Sequence, residues 1–579
     1  SIMNEEPEPL TGLRSGVPME LEQVVSKALA KSPDERYQHV DEMLVDLKAV
    51  RKKLATGTKA TISVAETIKP KISPQAKSRK FTAILSAMII VLVALLALWW
   101  AQKAKRPAAG EKVAKKLAVL PFVNLTADAE QEYFCDGMTE QLITNLCRVP
   151  ELKAIARTSV MRYKNTEKDV RQISKELDAK YVVEGSVRKS GKRVRITAQL
   201  IEAREGTHLW ANDYDRQLED IFAVQDDVSQ SIAHALEVTF SKQTEEVVSA
   251  SYPANVAAYD VYLKARHYIE NVYLETKKEA DFQHALKLAE QAVALDPEFA
   301  MGYLGLGYLY ENHWIVTGDQ HDLKQEEKYI SRAYALNPRL PEANAALGYQ
   351  FLRKGNFDKA FSFMKTALEL NGNGWEAYHL FGLFCGFTGL YKQGIQYFSK
   401  AVELNPLNIH TISNRGWYWL VSGDFQSALQ DFEKGYVIQP DHVPNLNGYA
   451  FALMMLEQSE RADKILSQAE SLPPGAFGNR LLTERALYYA ATGQRKKALS
   501  TSQWGGVLAA LGMKKEALDF IDNATRDENG DYFLLTYLPL IHLPIYDSLR
   551  TEPRFQKIVS REKEKYEIRL KKYSIPIID

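Results

Sequence analysis

The stretch GSVRKSGK, Gly185–Lys192, has the glycines and lysines of a phosphate-cradling loop. Its glycines stand one residue too far apart, and Arg193 occupies the place where a Ser or Thr would hold magnesium. Val182, Val183, Val187, Val194 and Ile196 flank it, a pattern that predicts two strands about a hairpin turn at Ser190-Gly191. Asp136, Asp213, Asp215, Asp226 and Asp227 carry oxygens that could hold a hard cation, but their spacing fits neither a calcium loop nor a zinc motif. They are expected at solvated loop and cap positions, and His208 beside Trp210 is expected to pack. Cys135 and Cys147 on one helix would stand about 18 Å apart, too far to bridge, so these thiols and Cys385 read as buried and unreactive. Asn124-Leu125-Thr126 fits a glycosylation sequon, a pattern too short to carry weight. No catalytic, cofactor-binding or metal-ligating set emerges.

Several units must position these residues, because 579 residues are too many for one core. Lys+Arg and Asp+Glu balance at 73 each, which removes any global argument for nucleic-acid binding. The chain opens on Ser1 without a secretory signal, and we expect it to be a piece of something longer. Phe81–Trp100 is an uncharged run long enough, at about 30 Å, to cross a bilayer as a single helix. Lys69, Lys71, Lys77, Arg79 and Lys80 precede it; Lys103, Lys105, Arg106, Lys112 and Lys115 follow, a tie that leaves orientation open. Residues 55–80 and 101–114 read as linkers.

Two short amphipathic helices are predicted within residues 1–54, broken at Ser32-Pro33-Asp34. They have too little apolar area to fold alone. The segment VPMELEQVVSKALAKSPDERYQHVDEMLVDLKAV resembles the C-terminal end of the large lobe of bacterial Ser/Thr protein kinases. That resemblance implies that Arg36 pairs with a glutamate closing the activation segment, which this chain does not contain. It also implies ATP and magnesium for a catalytic part missing here: no Gly-rich phosphate loop, VAIK-like strand, HRD or DFG is present.

Residues 115–240 read as βαβαββ, then a short strand at THLWANDYD and a helix over Leu218–Val238, which predicts a mixed sheet with helices against it. AVLPFVNLT, FCDGMTEQLITNL, YVVEGSVRKSGKRVRITAQLI and LWANDYDR resemble the TolB-like domain found beside bacterial kinases, adenylate cyclases and transcriptional regulators. The resemblance implies a binding or assembly module.

Over 255–525 the dominant signal is a period. ALDP, ALNP, ELNG, ELNP, VIQP and SLPP end at Pro297, Pro338, Gly372, Pro406, Pro440 and Pro474; the last four steps are 34 residues, the tetratricopeptide period, and the first is 41. Small residues such as Gly348, Gly382 and Gly416 admit close helix pairs, and Pro stops each second helix. The family's pattern implies that Tyr349, His379, His410, Trp417, Asn447 and Phe451 face a groove. Its aromatic and polar character suits a protein or peptide partner rather than nucleic acid. Residues 526–579 are expected to cap the array.

The sequence thus predicts a multidomain chain: an α-helical kinase C-lobe remnant, one transmembrane helix, an α/β TolB-like domain and an all-α solenoid. Its expected role is the sensor half of a receptor-type Ser/Thr kinase in a bacterial inner membrane, with the N-terminal segment cytoplasmic and the remainder outside. That sensor would bind a protein or peptide, use no cofactor of its own, and could signal through a homodimer. The alternative is a non-catalytic, membrane-anchored repeat scaffold.

Overall fold

The computed structural model describes residues 19–28, 37, 42–48 and 50 near the N-terminus, and 114–573 except 127, 129–130, 250–251, 473–477 and 527–532. Two compact units divide at Ala109/Gly110. In the first, a helix spans Met19–Ala28, Lys27 stands 4.4 Å from the Tyr37 ring centroid, and Tyr37 donates a 2.9 Å hydrogen bond to Asp46. Arg36 lies outside the described residues, as does the apolar run 81–100.

Among the described residues no helix is long and apolar enough to cross a membrane. The longest, Pro553–Tyr573, is studded with charge (Arg554, Arg561, Lys563, Lys565, Lys571). The fold class is corrected on this point: the described architecture is mostly helical with a small mixed sheet, without a spanning helix. The inner-membrane placement, the membrane as a partner and the two-sided topology are corrected with it, since no described helix supports them.

The second unit begins with the sheet. Strands β1 (Lys115–Val119), β2 (Val123–Asn124), β3 (Leu152–Ala154), β4 (Tyr181–Ser190), β5 (Arg193–Glu202) and β6 (Thr207–Gln217) follow the order β3-β1-β4-β5-β6, with β2 also on β4. β1 runs parallel to β3 and β4, and β4-β5-β6 are antiparallel. Alternation decides which side is covered: Val194, Ile196, Ala198 and Leu200 of β5 are buried, Arg193, Arg195 and Thr197 exposed. β6, expected to be short, is the longest strand at 11 residues and ladders with the whole of β5, from Arg193↔Gln217 to Glu202↔Thr207, with Arg193 and Arg195 pairing across it with Asp215 and Asp213 at 2.8 and 3.1 Å. The would-be phosphate loop is a two-residue hairpin turn, Gly191-Lys192, with Gly191 at φ 61°.

Helix Glu132–Cys147 packs against the sheet and against Ile221–Ala235. It also receives Val256–Tyr268, the first helix of the solenoid, so closely that a Cβ at Gly137 would lie 2.6 Å from Leu263. Tyr259, Tyr262 and Leu263 therefore belong to the core of the α/β domain. Helix pairs then run on to Lys514–Arg526. Successive first helices approach one another, as Pro341–Arg353 does Trp375–Thr388, so they line the inner surface. Turns between paired helices repeat in phase: Gly355, Gly389 and Gly423 take φ of 70°, 73° and 88°, and at the next step Glu457 adopts 60°. The longer first period is spent on helix rather than loop: Ala300–Thr317 and Gln320–Leu336 have 18 and 17 residues, against 13 and 14 in the next pair.

Candidate functional site

The inner surface of the solenoid is bounded on both edges. On the edge formed by the ends of the second helices sits the α/β domain. Asn373 Nδ2 donates to the carbonyls of Val149 and Leu152 at 3.0 and 2.9 Å, and Ala156 N–H to Leu404 O at 2.9 Å. Buried Asn405 accepts from Ser159 Oγ at 2.6 Å, and Lys153 pairs with Glu403 at 2.8 Å. ELNP, legible only as a helix stop, and Asn373, the residue just past ELNG, thus supply the seat. Charges beneath it are paired: Arg157 meets Glu270 at 2.5 Å and Glu140 at 3.6 Å, and Arg266 meets the same two carboxylates.

On the opposite edge, at the turns within pairs, runs the C-terminal segment. Tyr391 OH donates to Phe533 O at 2.9 Å, Arg569 to Thr388 O at 3.3 Å, and Tyr573 OH to Asp358 at 2.7 Å. The Phe533 ring reaches inward to 6.2 Å from Trp417. Residues 533–573 therefore lie back along the array as well as against its last helices, where Lys514 pairs with Glu552 at 2.7 Å.

Between these edges the six groove residues separate. Tyr349 and His379 are half-buried and His410 is exposed. Trp417, Asn447 and Phe451 are buried, with Trp417 Nε1 donating to Pro444 O at 3.3 Å and its ring 6.0 Å from Phe451. His379 Nδ1 lies 2.9 Å from Thr411 Oγ1, and burial, reinforced by His410, lowers its pKa to about 3, so the ring is neutral. His442 Nε2 lies 3.3 Å from His410 Nδ1, and burial likewise lowers His442 to about 4.

Residues outside the expected six complete the open part. Tyr308 and Phe387 are 44% and 54% exposed, large rings left in solvent. Burial pushes Glu311 up to about 7, with Glu326 adding and Arg353 opposing. Glu376 is open by area yet walled by protein, so desolvation pushes its carboxyl to about 7 as well, with Glu342 adding. Arg353 is itself occupied: it binds Glu326 through Nη2 and stacks 4.9 Å from the Tyr349 ring. Such a surface can dock a polypeptide.

The other sequence candidates fall elsewhere. Asp136, expected in solvent, is buried beneath Lys164 at 2.6 Å and His267 at 3.0 Å, and it helps seat the first solenoid helix. His208, expected to pack, is exposed on β6. Asp226 accepts the Tyr252 hydroxyl at 2.8 Å. Burial pushes the Cys135 and Cys147 thiols up to about 12. Among the described residues no three of His, Cys, Asp and Glu converge on a metal position. A cavity of about 260 Å³ beside Tyr252, Phe299, Met301 and Leu340 is below the usual size of a ligand pocket.

Residues 113–232 match the family described as the second domain of HilA/YgeH-like transcriptional regulators, and residues 376–406 match a tetratricopeptide repeat. A protein of Rhizobium meliloti (strain 1021) named putative adenylate cyclase 3 is 41% identical over 193 residues, 33% of this chain and 32% of that protein. The chain thus spans about a third of that relative. These matches correct the kinase-remnant and TolB-like assignments: the α/β domain is similar to part of a transcriptional-regulator family, and neither relationship is to a kinase. Solved structures with some likeness include PilF of Pseudomonas aeruginosa (19% identity, 39% of this chain, 97% of that chain, TM-score 0.31). Another is the type IV pilus biogenesis factor PilW (15%, 40%, 100%, 0.33). YrrB, a repeat protein with an unusual peptide-binding site, gives 20%, 36%, 96% and 0.23. Likeness at this level carries no argument about function. The repeats themselves are a protein-interaction architecture.

Proposed function

We propose that this chain is a non-catalytic protein-binding scaffold whose α/β domain and repeats act as one rigid body presenting the inner helix faces between Tyr308 and His410. One observation carries the reading. The α/β domain and the C-terminal segment each cover an edge of the solenoid, through Asn373 and Asn405 on one side and Tyr391 and Thr388 on the other. Side chains such as Tyr308 and Phe387 remain exposed between them. Large exposed rings beside polar groups suit a protein partner. The similarities to a transcriptional-regulator domain and to a putative adenylate cyclase support a module that accompanies different outputs, which favours binding over chemistry in this part.

Photo-crosslinking tests the reading. A photoreactive residue at position 308 or 387 is expected to capture a partner protein in the source cell, and one at Val437, which is 82% exposed, is not. Equal capture from all three positions would sink it.

A further inference from the structure

We propose that Asn371-Gly372 is a site of spontaneous deamidation, and that its isoaspartate product loosens the seat of the α/β domain on the solenoid.

The reaction needs an asparagine amide, a backbone nitrogen that can reach it, and water. The Gly372 nitrogen loses its proton and attacks Asn371 Cγ; a C–N bond forms, and the side-chain nitrogen leaves as ammonia. Water then opens the cyclic imide. Attack at Cγ gives aspartate. Attack at the Asn371 backbone carbonyl gives isoaspartate, whose main chain runs through Cγ and is longer by a methylene. A following glycine favours the first step because it has no Cβ to crowd the nitrogen.

Four Asn-Gly pairs occur in the chain, at 371–372, 373–374, 447–448 and 529–530, and the last lies outside the described residues. The fold separates the other three. Asn373 is buried, and its Nδ2 donates to the carbonyls of Val149, Pro150 and Leu152 at 3.0, 3.4 and 2.9 Å. The nitrogen that would attack it, Gly374 N, donates to Asn371 O at 3.3 Å. Asn447 is buried too, and Gly448 stands inside helix Val443–Met455, where each backbone N–H is taken by a carbonyl one turn back.

Asn371 differs from both. It follows the end of helix Phe357–Leu370 and is half-buried, with Gly372 exposed in the turn. Neither Gly372 N–H nor Asn371 Nδ2 makes a hydrogen bond among the described residues. Asn371 Oδ1, however, accepts the Asn373 N–H at 3.1 Å. That donor stands where negative charge gathers as Cγ is attacked, so it assists the step.

The consequence follows from the same contacts. Asn371 positions the seat residue through two hydrogen bonds, Asn373 N–H to its Oδ1 and Gly374 N–H to its carbonyl. An aspartate keeps the acceptor oxygen and the backbone length. An isoaspartate inserts a methylene between them and shifts Asn373 against the three carbonyls it holds.

The test ages the full chain at mildly alkaline pH, folded and in urea, and maps deamidation by peptide mass. In the folded chain conversion is expected at Asn371, with Asn373 and Asn447 left as amides; in urea all three should convert. Isoaspartyl methyltransferase should label the folded product, and the labelled fraction should show faster amide exchange at residues 149–156. Gly372→Ala should lose the modified peptide and the loosening together, with an unchanged thermal melt. A Cβ there would meet only the Leu368 carbonyl at 3.8 Å, so alanine fits. Asn371→Asp should keep the parent's exchange rates. Folded-state conversion at Asn373 as fast as at Asn371, or none at Asn371 while the urea sample converts, would overturn the site. Isoaspartate at 371 with unchanged exchange, or equal loosening in Asn371→Asp, would overturn the consequence.

Discussion

The two ends of the inner surface share a repeat and differ in what reaches them. Around Tyr308, Glu342 and Glu376 the first helices face water, and their carboxylates have few partners. One or two repeats later the equivalent faces are shut, with Trp417, Asn447 and Phe451 inside a core that also contains Leu535, Leu538 and Leu543 of the C-terminal segment. The same scaffold position is therefore surface at one end and interior at the other. A repeat pattern defines positions, and the non-local chain defines their use.

The sharpest break of that comparison is Trp417→Ala. If the far end is true core, it should cost about 3–5 kcal/mol in denaturant unfolding; a loss below about 1 kcal/mol would mean the tryptophan is groove after all. Asn373→Ala leaves two carbonyls of the α/β domain without their donor and should cost about 1–3 kcal/mol. It should also loosen the domain's seat, read as faster amide exchange at residues 149–156. At the turn where Glu457 stands in the left-handed region, Glu457→Gly should raise stability by about 1 kcal/mol. The same change in an ordinary helical residue would lower it.

The pH responses of the two regions run in opposite directions. Glu376 has a raised folded pKa, so its contribution is full below the ordinary glutamate value and is lost as pH rises towards about 7. His442 has a lowered one, so its contribution is full above the ordinary histidine value and is lost as pH falls towards about 4. Unfolding of Glu376→Gln across that range should show a weaker decline with rising pH than the parent, and His442→Asn a weaker decline with falling pH. Parallel curves for parent and variant would refute the assignment. The smallest change is expected from Tyr308→Ala, within about 0.5 kcal/mol as for other open surface positions, yet with loss of crosslinked partner.

Much of the frame was legible before any coordinates. The 34-residue step predicts helix pairs because each pair is closed by contacts within its own repeat. Alternation at Val194, Ile196 and Ala198 marks the buried face of β5 for the same local reason. Of the six groove candidates, Tyr349, His379 and His410 stand at the surface. The other three are buried, Trp417 both by the next repeat, through Pro444 and Phe451, and by Phe533 far along the chain. Asn373 and Asn405 escaped notice because a residue at or just past a helix end looks the same whether or not another domain sits on it. Asp136 was misread for a related reason: its partners Lys164 and His267 are 28 and 131 residues away, and no spacing rule reaches that far.

The sequence by itself determined the period of the solenoid and the hairpin in place of a phosphate loop. Each depends on backbone preference or on neighbours within one repeat. Tertiary structure alone decided which inner faces stay open, which carboxylates go without cations and which asparagines become a seat. Those properties are set by burial, and burial of a side chain depends on segments that folding brings to it from elsewhere in the chain.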